Sequence, residues 1–210
     1  MKKTVSVMLL LCVVFSLACV LSCANNDSES SEFIDIKGNM YNTAWTDLEL
    51  QFANLEDLDI EPLKYMANLT SLNLAGNQIS DIGALSNLTT LTLLVLSKNQ
   101  ISDIGALSGL TNLTQLILFG NPVSDIGALA NLTNLNTLNL QDTQVSDIGV
   151  LAHLTNLKSL SLGIVAIDNI ELLAQLPNLK ILDLAESGLT ADQTAKLAEA
   201  LPNAIIISEY

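Results

Sequence analysis

The sequence predicts a repeat protein of the α/β class, a solenoid in which each coil contributes one short β-strand. A segment of 22 residues recurs from Leu69 onward, and leucine occupies the first, fourth and sixth positions of all six copies. Within the stretch L-x-x-L-x-L the residues next to the last two leucines are mostly polar, and this alternation is typical of a strand with one buried face. A fixed period in the range of about 20 to 50 residues is the signature of stacked repeats.

The other consensus positions have separate physical roles. Asparagine follows the strand at 77, 99 and 121, where its side chain can bond backbone groups left free between coils. Later copies carry Thr143, Val165 and Ser187 instead. The predicted ladder of hydrogen bonds therefore weakens toward the C-terminal end. The returning limb fills the core, in the first copy with Ile79, Ile82, Leu85 and Leu88.

Residues 77–91 follow the frame N-x-I-x-D-I-x-x-L-x-x-L-x-x-L. This frame resembles the internalin-type class of bacterial leucine-rich repeats, and the resemblance covers residues 48–207. It implies a right-handed solenoid with a concave parallel sheet and a convex side of 3₁₀ or irregular segments. One strand per coil and a closing strand give about eight strands, or a sheet about 35 Å long.

The chain divides into five predicted regions. They are a lipoprotein-type signal peptide at 1–22, an acylated cysteine and flexible tether at 23–32, an N-terminal cap with a degenerate first repeat at 33–67, the repeats at 68–189, and a C-terminal cap at 190–210.

Both caps carry recognisable residues. In the degenerate first repeat, Leu50 and Phe52 are expected to take the buried positions that Leu72 and Leu74 take one coil later. Upstream, the aromatic residues Phe33, Tyr41 and Trp45 are expected to plug the first coil. At the other end Thr190 is expected to N-cap a helix over 191–200, and 205–207 to close the sheet as its last strand.

The N-terminus has the layout of an export signal. Lys2 and Lys3 precede a long apolar run, which is also about as long as an uncleaved membrane span. All three cysteines lie in this segment, so the folded part has no disulfide framework. The sequence before Cys23 resembles the lipobox of bacterial lipoproteins, which implies cleavage and acylation there. Cys19 is the alternative, and Cys23 is preferred because polar chain follows it directly.

Composition excludes several function classes. The net charge is −14, and removing residues 1–22 takes away two lysines and no carboxylate, which leaves −16. Such a chain repels phosphate backbones and anionic membrane surfaces, so no nucleic-acid binding is expected. There is no arginine, no cysteine beyond Cys23 and one histidine, His153, at a variable position expected on the surface. Neither a metal cluster nor a nucleophile–base pair can be assembled, so we expect no catalytic residue, cofactor or metal.

Four aspartates in register, 81, 103, 125 and 147, have two interpretations. Stacked carboxylates could share calcium ions. The favoured interpretation is that each caps the local turn and faces solvent.

The outward positions of the strands are free of any role in the fold, and four apolar residues fall there on two neighbouring strands. Leu93, Val95, Ile117 and Phe119 form a predicted contact patch with Phe119 as its anchor. The alternative is ordinary exposed apolar surface in a leucine-rich chain.

These observations predict a lipid-anchored, monomeric protein of the bacterial cell membrane or outer membrane that binds a protein partner through the concave face. The resemblance implies attachment to a host surface as one role. The alternative is an internal envelope scaffold that binds a periplasmic or outer-membrane partner or a glycan.

Overall fold

The computed structural model describes residues 32–165, 167 and 169–208. The predicted signal peptide, the acylation at Cys23 or Cys19 and the tether up to residue 31 lie outside the described residues. In the part of the chain that is described, no helix is long and apolar enough to cross a membrane.

The described residues form a two-stranded hairpin followed by a solenoid. The hairpin pairs β1 (Phe33–Ile36) with β2 (Asn39–Asn42). The solenoid contains one parallel sheet of eight strands in chain order, which confirms the predicted number. Its strands are β3 (Asp47–Glu49), β4 (Ser71–Asn73), β5 (Leu93–Val95), β6 (Gln115–Ile117), β7 (Thr137–Asn139), β8 (Ser159–Ser161), β9 (Ile181–Asp183) and β10 (Ile205–Ile207).

Short helical segments run along the convex side, as predicted. A single α-helical turn, α1 (Asp57–Ile60), lies in the first coil, and the helix α2 (Ala191–Ala200) in the last. Between them lie the 3₁₀ segments Glu61–Tyr65, Gly83–Leu85, Gly105–Leu107, Gly127–Asn131, Gly149–His153 and Ile170–Gln175.

The core is a stack of aliphatic layers. Leu94 on β5 pairs in register with Leu72 and Leu116 on the strands beside it, and all three are fully buried. Because strands β4 to β9 pair at a constant offset of 22 residues, each consensus leucine of these coils stacks on its equivalents in the coils above and below. A single coil cannot bury its own leucines, so the coils stabilise one another.

The predicted asparagine ladder is present and crosses between coils. Asn99 accepts a hydrogen bond from the Ile79 amide at 3.1 Å and donates to the Leu74 and Leu96 carbonyls at 3.0 and 2.9 Å. Asn77 and Asn121 bond in the same way. Thr143 donates only to the carbonyl of Leu140 in its own coil. The ladder therefore weakens where the sequence predicts.

The aspartate series caps the convex turns. Asp81 Oδ1 accepts from the Gly83 amide at 2.7 Å, directly before the 3₁₀ segment that begins there. Asp103, Asp125 and Asp147 repeat the contact at 2.7–2.8 Å. The capping interpretation is confirmed.

The predicted register of the first coil is wrong by two residues. Leu48, not Leu50, pairs with Leu72, so Leu50 takes the position predicted for Phe52. Leu48 and Leu50 are 3% and 5% exposed, whereas the Phe52 side chain is 75% exposed. The coil has two extra residues between its strand and its 3₁₀ segment, and α1 accommodates them.

Asp57 of α1 joins the first coil to the second. Its carboxylate accepts hydrogen bonds from the Ser80 and Asp81 amides and from the Ser80 hydroxyl, at 2.7–3.0 Å. Burial opposes ionisation, but these three bonds outweigh it and lower the pKa of Asp57.

Isoleucines of the N-terminal hairpin cover the first coil, and of the three predicted aromatic residues Tyr41 packs against the core. Ile34 and Ile36 are buried in the core, whereas Phe33 and Trp45 are exposed. Trp45 instead packs edge-to-face on Tyr41, with ring centroids 5.9 Å apart. The alternation of β1 explains the difference, because it directs Ile34 and Ile36 inward and Phe33 outward.

The C-terminal helix has the predicted bounds and the predicted cap. Thr190 Oγ1 accepts from the Gln193 amide, and the Gln193 side chain accepts from the Thr190 amide, which completes a capping box. Leu197 is the helix residue that joins the core.

Candidate functional site

The outward side chains of the sheet form straight rows across the coils. In each strand the first and third residues point outward, and their equivalents on neighbouring strands pair in register. Adjacent members of a row are therefore about 4.8 Å apart. A partner that lies across the sheet would meet a regular grid of side chains.

The middle of this face is free of charge. The outward residues of β4 to β8 are Ser71, Asn73, Leu93, Val95, Gln115, Ile117, Thr137, Asn139, Ser159 and Ser161. Carboxylates appear only toward the ends of the sheet, at Asp47, Glu49 and Asp183. For a chain of net charge −14 this is a marked segregation, and it favours an uncharged contact surface.

The structure places the predicted patch on β5, β6 and the turn after β6. Val95 and Ile117 are register partners, and Leu93 pairs with Gln115. Phe119 follows β6 by two residues, and its carbonyl accepts from the Lys98 amide at 2.7 Å. All four side chains are half-buried. Their role in binding stays a prediction.

Phe119 and Lys98 form a mixed apolar and cationic contact at one end of the patch. The Lys98 ammonium lies 5.5 Å from the centre of the Phe119 ring. Such a contact holds the ring in place and leaves the cation available to solvent or to a partner.

The apolar residues of the patch replace side chains that have a local structural role elsewhere in the array. At the third strand position, Asn73, Asn139 and Asp183 each accept a hydrogen bond from the amide two residues later, at 2.9–3.1 Å. Val95 and Ile117 stand at the same position and cannot make this bond. The fold therefore gives no reason for apolar residues there.

A second asparagine series lies on the exposed side, before the strands. Asn112, Asn134, Asn156 and Asn178 each donate to a threonine carbonyl of the preceding coil at 2.8–2.9 Å. This ladder was not predicted from the sequence, although the N-L pair that recurs before β6 to β9 would have indicated it. These side chains join coils, so they do not belong to the candidate site.

The residue that follows each of the strands β3 to β9 by three positions has a left-handed backbone. Gly76 and Gly120 adopt it without strain, but Lys98, Asp142, Ile164 and Glu186 adopt it as well, with φ of 53–62°. Ile164 is the costliest of these because its side chain is β-branched. Its side chain is also 44% exposed, so little packing offsets the cost.

Ile164→Asn is expected to raise the free energy of unfolding by about 1 kcal/mol, because asparagine tolerates the left-handed region better. Urea unfolding measures the change. Ile181→Asn is the matched control, because Ile181 is 42% exposed but lies in a strand, where asparagine gains nothing. Equal effects of the two substitutions would contradict the strain argument.

No group of acidic, histidine or cysteine side chains that could hold a metal occurs among residues 32–165, 167 and 169–208. His153 is exposed, as predicted, and its Nδ1 lies 3.2 Å from the Val150 carbonyl oxygen.

The comparisons with known proteins agree with the coil geometry. A family model described as leucine-rich repeats (two copies) matches residues 67–109, 89–131 and 111–153. A search among curated proteins finds no match to this chain.

Solved structures resemble the chain over most of its length. An internalin of Listeria monocytogenes, inlF, is 32% identical over 82% of this chain, with a TM-score of 0.72, and the chain spans about half (51%) of that structure. Internalin C2 of the same species is 30% identical over 80% of this chain and 74% of its own, with a TM-score of 0.69. A leucine-rich-repeat protein of Leptospira interrogans is 25% identical over 69% of this chain and 38% of its own, with a TM-score of 0.62.

Internalin C2 matches this chain in sequence as well as in fold, at 30% identity over about three quarters of its own length. The chain therefore belongs to the internalin-type leucine-rich-repeat proteins.

Proposed function

We propose that this chain is a lipid-tethered protein of the bacterial cell envelope that binds a protein partner through the outward face of its sheet. Leucine-rich-repeat arrays of this type are scaffolds for protein–protein interaction, and that coarser statement follows from the family. The partner site proposed here is the patch of Leu93, Val95, Ile117 and Phe119. One observation supports this site. Val95 and Ile117, on the uncharged part of the sheet, replace the residues that elsewhere accept a hydrogen bond from the amide two residues later.

The physical case for the patch rests on what a partner gains there. Half-buried apolar side chains in a fixed grid lose little conformational entropy when they are covered. The Phe119 ring is held by Lys98, and aromatic side chains carry much of the binding energy of protein interfaces. A surrounding row of serine, threonine and asparagine side chains would supply the polar rim.

Val95→Asp is expected to abolish capture of the partner, because it places a carboxylate among apolar contacts. A photo-crosslinking residue at Phe119 in living cells identifies the partner, and the crosslinked band should disappear in the Val95→Asp variant. Ser161→Asp is the control, since it adds the same charge at the equivalent outward position three strands away. If both variants retain the band, the patch is not the binding site.

The tether is proposed to be the acylated Cys23. Cys23→Ser is expected to release the protein from the membrane fraction and to abolish incorporation of a labelled fatty acid, because several acyl chains are needed for stable anchoring. Cys19→Ser should leave both unchanged. The opposite pattern would assign the anchor to Cys19, and retention of label in the double variant Cys19→Ser, Cys23→Ser would exclude lipidation at both residues.

The location of the partner follows from the exposure of the domain on intact cells. If the protein attaches to a host surface, protease added to intact cells should digest the wild-type chain. This digestion should be seen while the chain is still anchored, without the Cys23→Ser substitution. A chain protected from external protease binds a partner inside the envelope instead.

A further inference from the structure

Within the eight-stranded sheet, the C-terminal edge carries the most exposed large apolar residues. Ile205 and Ile207 of β10 are 67% and 43% exposed, and Ile181 beside them on β9 is 42% exposed. β10 is the last strand of the sheet, and no described strand pairs with its far side. From the sequence, residues 205–207 were predicted only to close the sheet.

The backbone of β10 offers a hydrogen-bonding edge. The Ile205 amide donates to the Lys180 carbonyl, and the Ile207 carbonyl accepts from the Leu184 amide, so both residues bond toward β9. The alternation of a strand then directs the N–H and C=O of Ile206 to the open side. A strand that pairs there would use these two groups first.

This edge lacks the features that usually prevent pairing. Charged residues and proline are common protections of edge strands. The opposite edge strand, β3, carries Asp47 and Glu49. Residues 203–208 around β10 read N-A-I-I-I-S; the nearest proline, Pro202, and the nearest charged residue, Glu209, lie outside the strand.

We propose that two copies of this chain associate by antiparallel pairing of their β10 strands. The I-I-I segment is symmetric about Ile206, so a two-fold axis there makes the edge complementary to itself. Ile206 of each copy exchanges two hydrogen bonds with its equivalent, and Ile205 lies opposite Ile207 of the second copy. Ile181, Ile205 and Ile207 from both copies then form one apolar cluster on the outward face. This proposal is independent of the patch and replaces the expectation of a monomer.

The charges near this edge permit the association. In the paired arrangement the two Asp183 residues lie three strand spacings apart across the sheet and two residues apart along it, about 16 Å in all, which exceeds the Debye length of about 8 Å at physiological salt. The net charge of −14 still repels a second copy at long range. Added salt should therefore strengthen the dimer rather than weaken it.

The test is sedimentation equilibrium of the full chain in detergent micelles, with Ile206→Pro and Ile206→Ala as a matched pair. Proline removes the outward N–H and is tolerated on a strand edge that faces solvent. Alanine removes a similar part of the half-buried side chain and keeps the N–H. We expect a dimer for the wild type and for Ile206→Ala, and at least tenfold weaker association for Ile206→Pro.

Two further measurements keep the test decisive if proline disturbs the last coil. Ile205→Lys changes only an exposed outward side chain and should also weaken the dimer about tenfold. Raising sodium chloride from about 0.05 to 0.5 M should tighten association of the wild type. A wild type that stays monomeric at all concentrations, or association that Ile206→Pro and Ile205→Lys both leave unchanged, overturns the proposal.

Discussion

Leu116→Ala is expected to lower the free energy of unfolding by about 3–4 kcal/mol. Leu116 is fully buried on β6, and it pairs in register with Leu94 and Leu138. Truncation removes apolar burial and leaves a cavity between two coils that are fixed by their strands. Urea denaturation followed by circular dichroism measures the loss.

The shape of the unfolding curve should change as well. In a repeat array each coil is stabilised by its neighbours, so a weakened interface in the middle allows the two halves to unfold separately. We expect a broader or biphasic transition for Leu116→Ala. Gln115→Ala is the control, because Gln115 is exposed on the same strand and should change stability by less than about 0.5 kcal/mol. A loss below about 1 kcal/mol for Leu116→Ala would show that the coils close the cavity.

Asn99→Ala is expected to lower the free energy of unfolding by about 2–4 kcal/mol. The Ile79 amide loses the side-chain acceptor that it bonds, while the Leu74 and Leu96 carbonyls each keep a bond from a neighbouring asparagine. A buried donor left without a partner costs about 1–3 kcal/mol, and the lost interactions across the coil boundary add to it.

Asn139→Ala provides the matched comparison for the asparagine ladder. Asn139 is half-buried on the outward face and makes one local hydrogen bond, to the Gln141 amide. We expect a loss of about 0.5–1 kcal/mol there. Hydrogen exchange of the Ile79 amide should accelerate in Asn99→Ala and not in Asn139→Ala. Equal losses in the two variants would mean that the ladder contributes no more than an ordinary surface bond.

The repeat made most of the fold predictable. Local sequence patterns predict the strand positions, the asparagine ladder and the helix after Thr190, because each of these patterns fits only one local structure. The predicted register of the first coil was wrong for a specific reason. Leu48, Leu50 and Phe52 alternate with period two, and such a pattern looks the same after a shift of two residues. Only the position of α1, which the sequence does not indicate, decides between the registers.

For the candidate site, the direction in which the side chains point was predictable from the sequence, but their exposed fraction was not. Alternation places Val95 and Ile117 outward, and the structure has them there. How much of each side chain stays accessible depends on neighbours about 4.8 Å away in the next coils. Left-handed residues such as Lys98 and Ile164 were missed because nothing in those residue types indicates a positive φ.

The unshifted register from β4 to β9 separates the residues that stabilise the fold from the residues that are exposed on the outward face. Because the inward leucines are the same in every coil, an ancestor could lengthen its surface by duplicating one coil without redesigning the interior. Each outward position could afterwards change alone. The patch on β5 and β6 is then a local change of sequence on the outward face. The area of that face depends on the number of coils, so relatives with more coils can extend their contact area in steps of one strand.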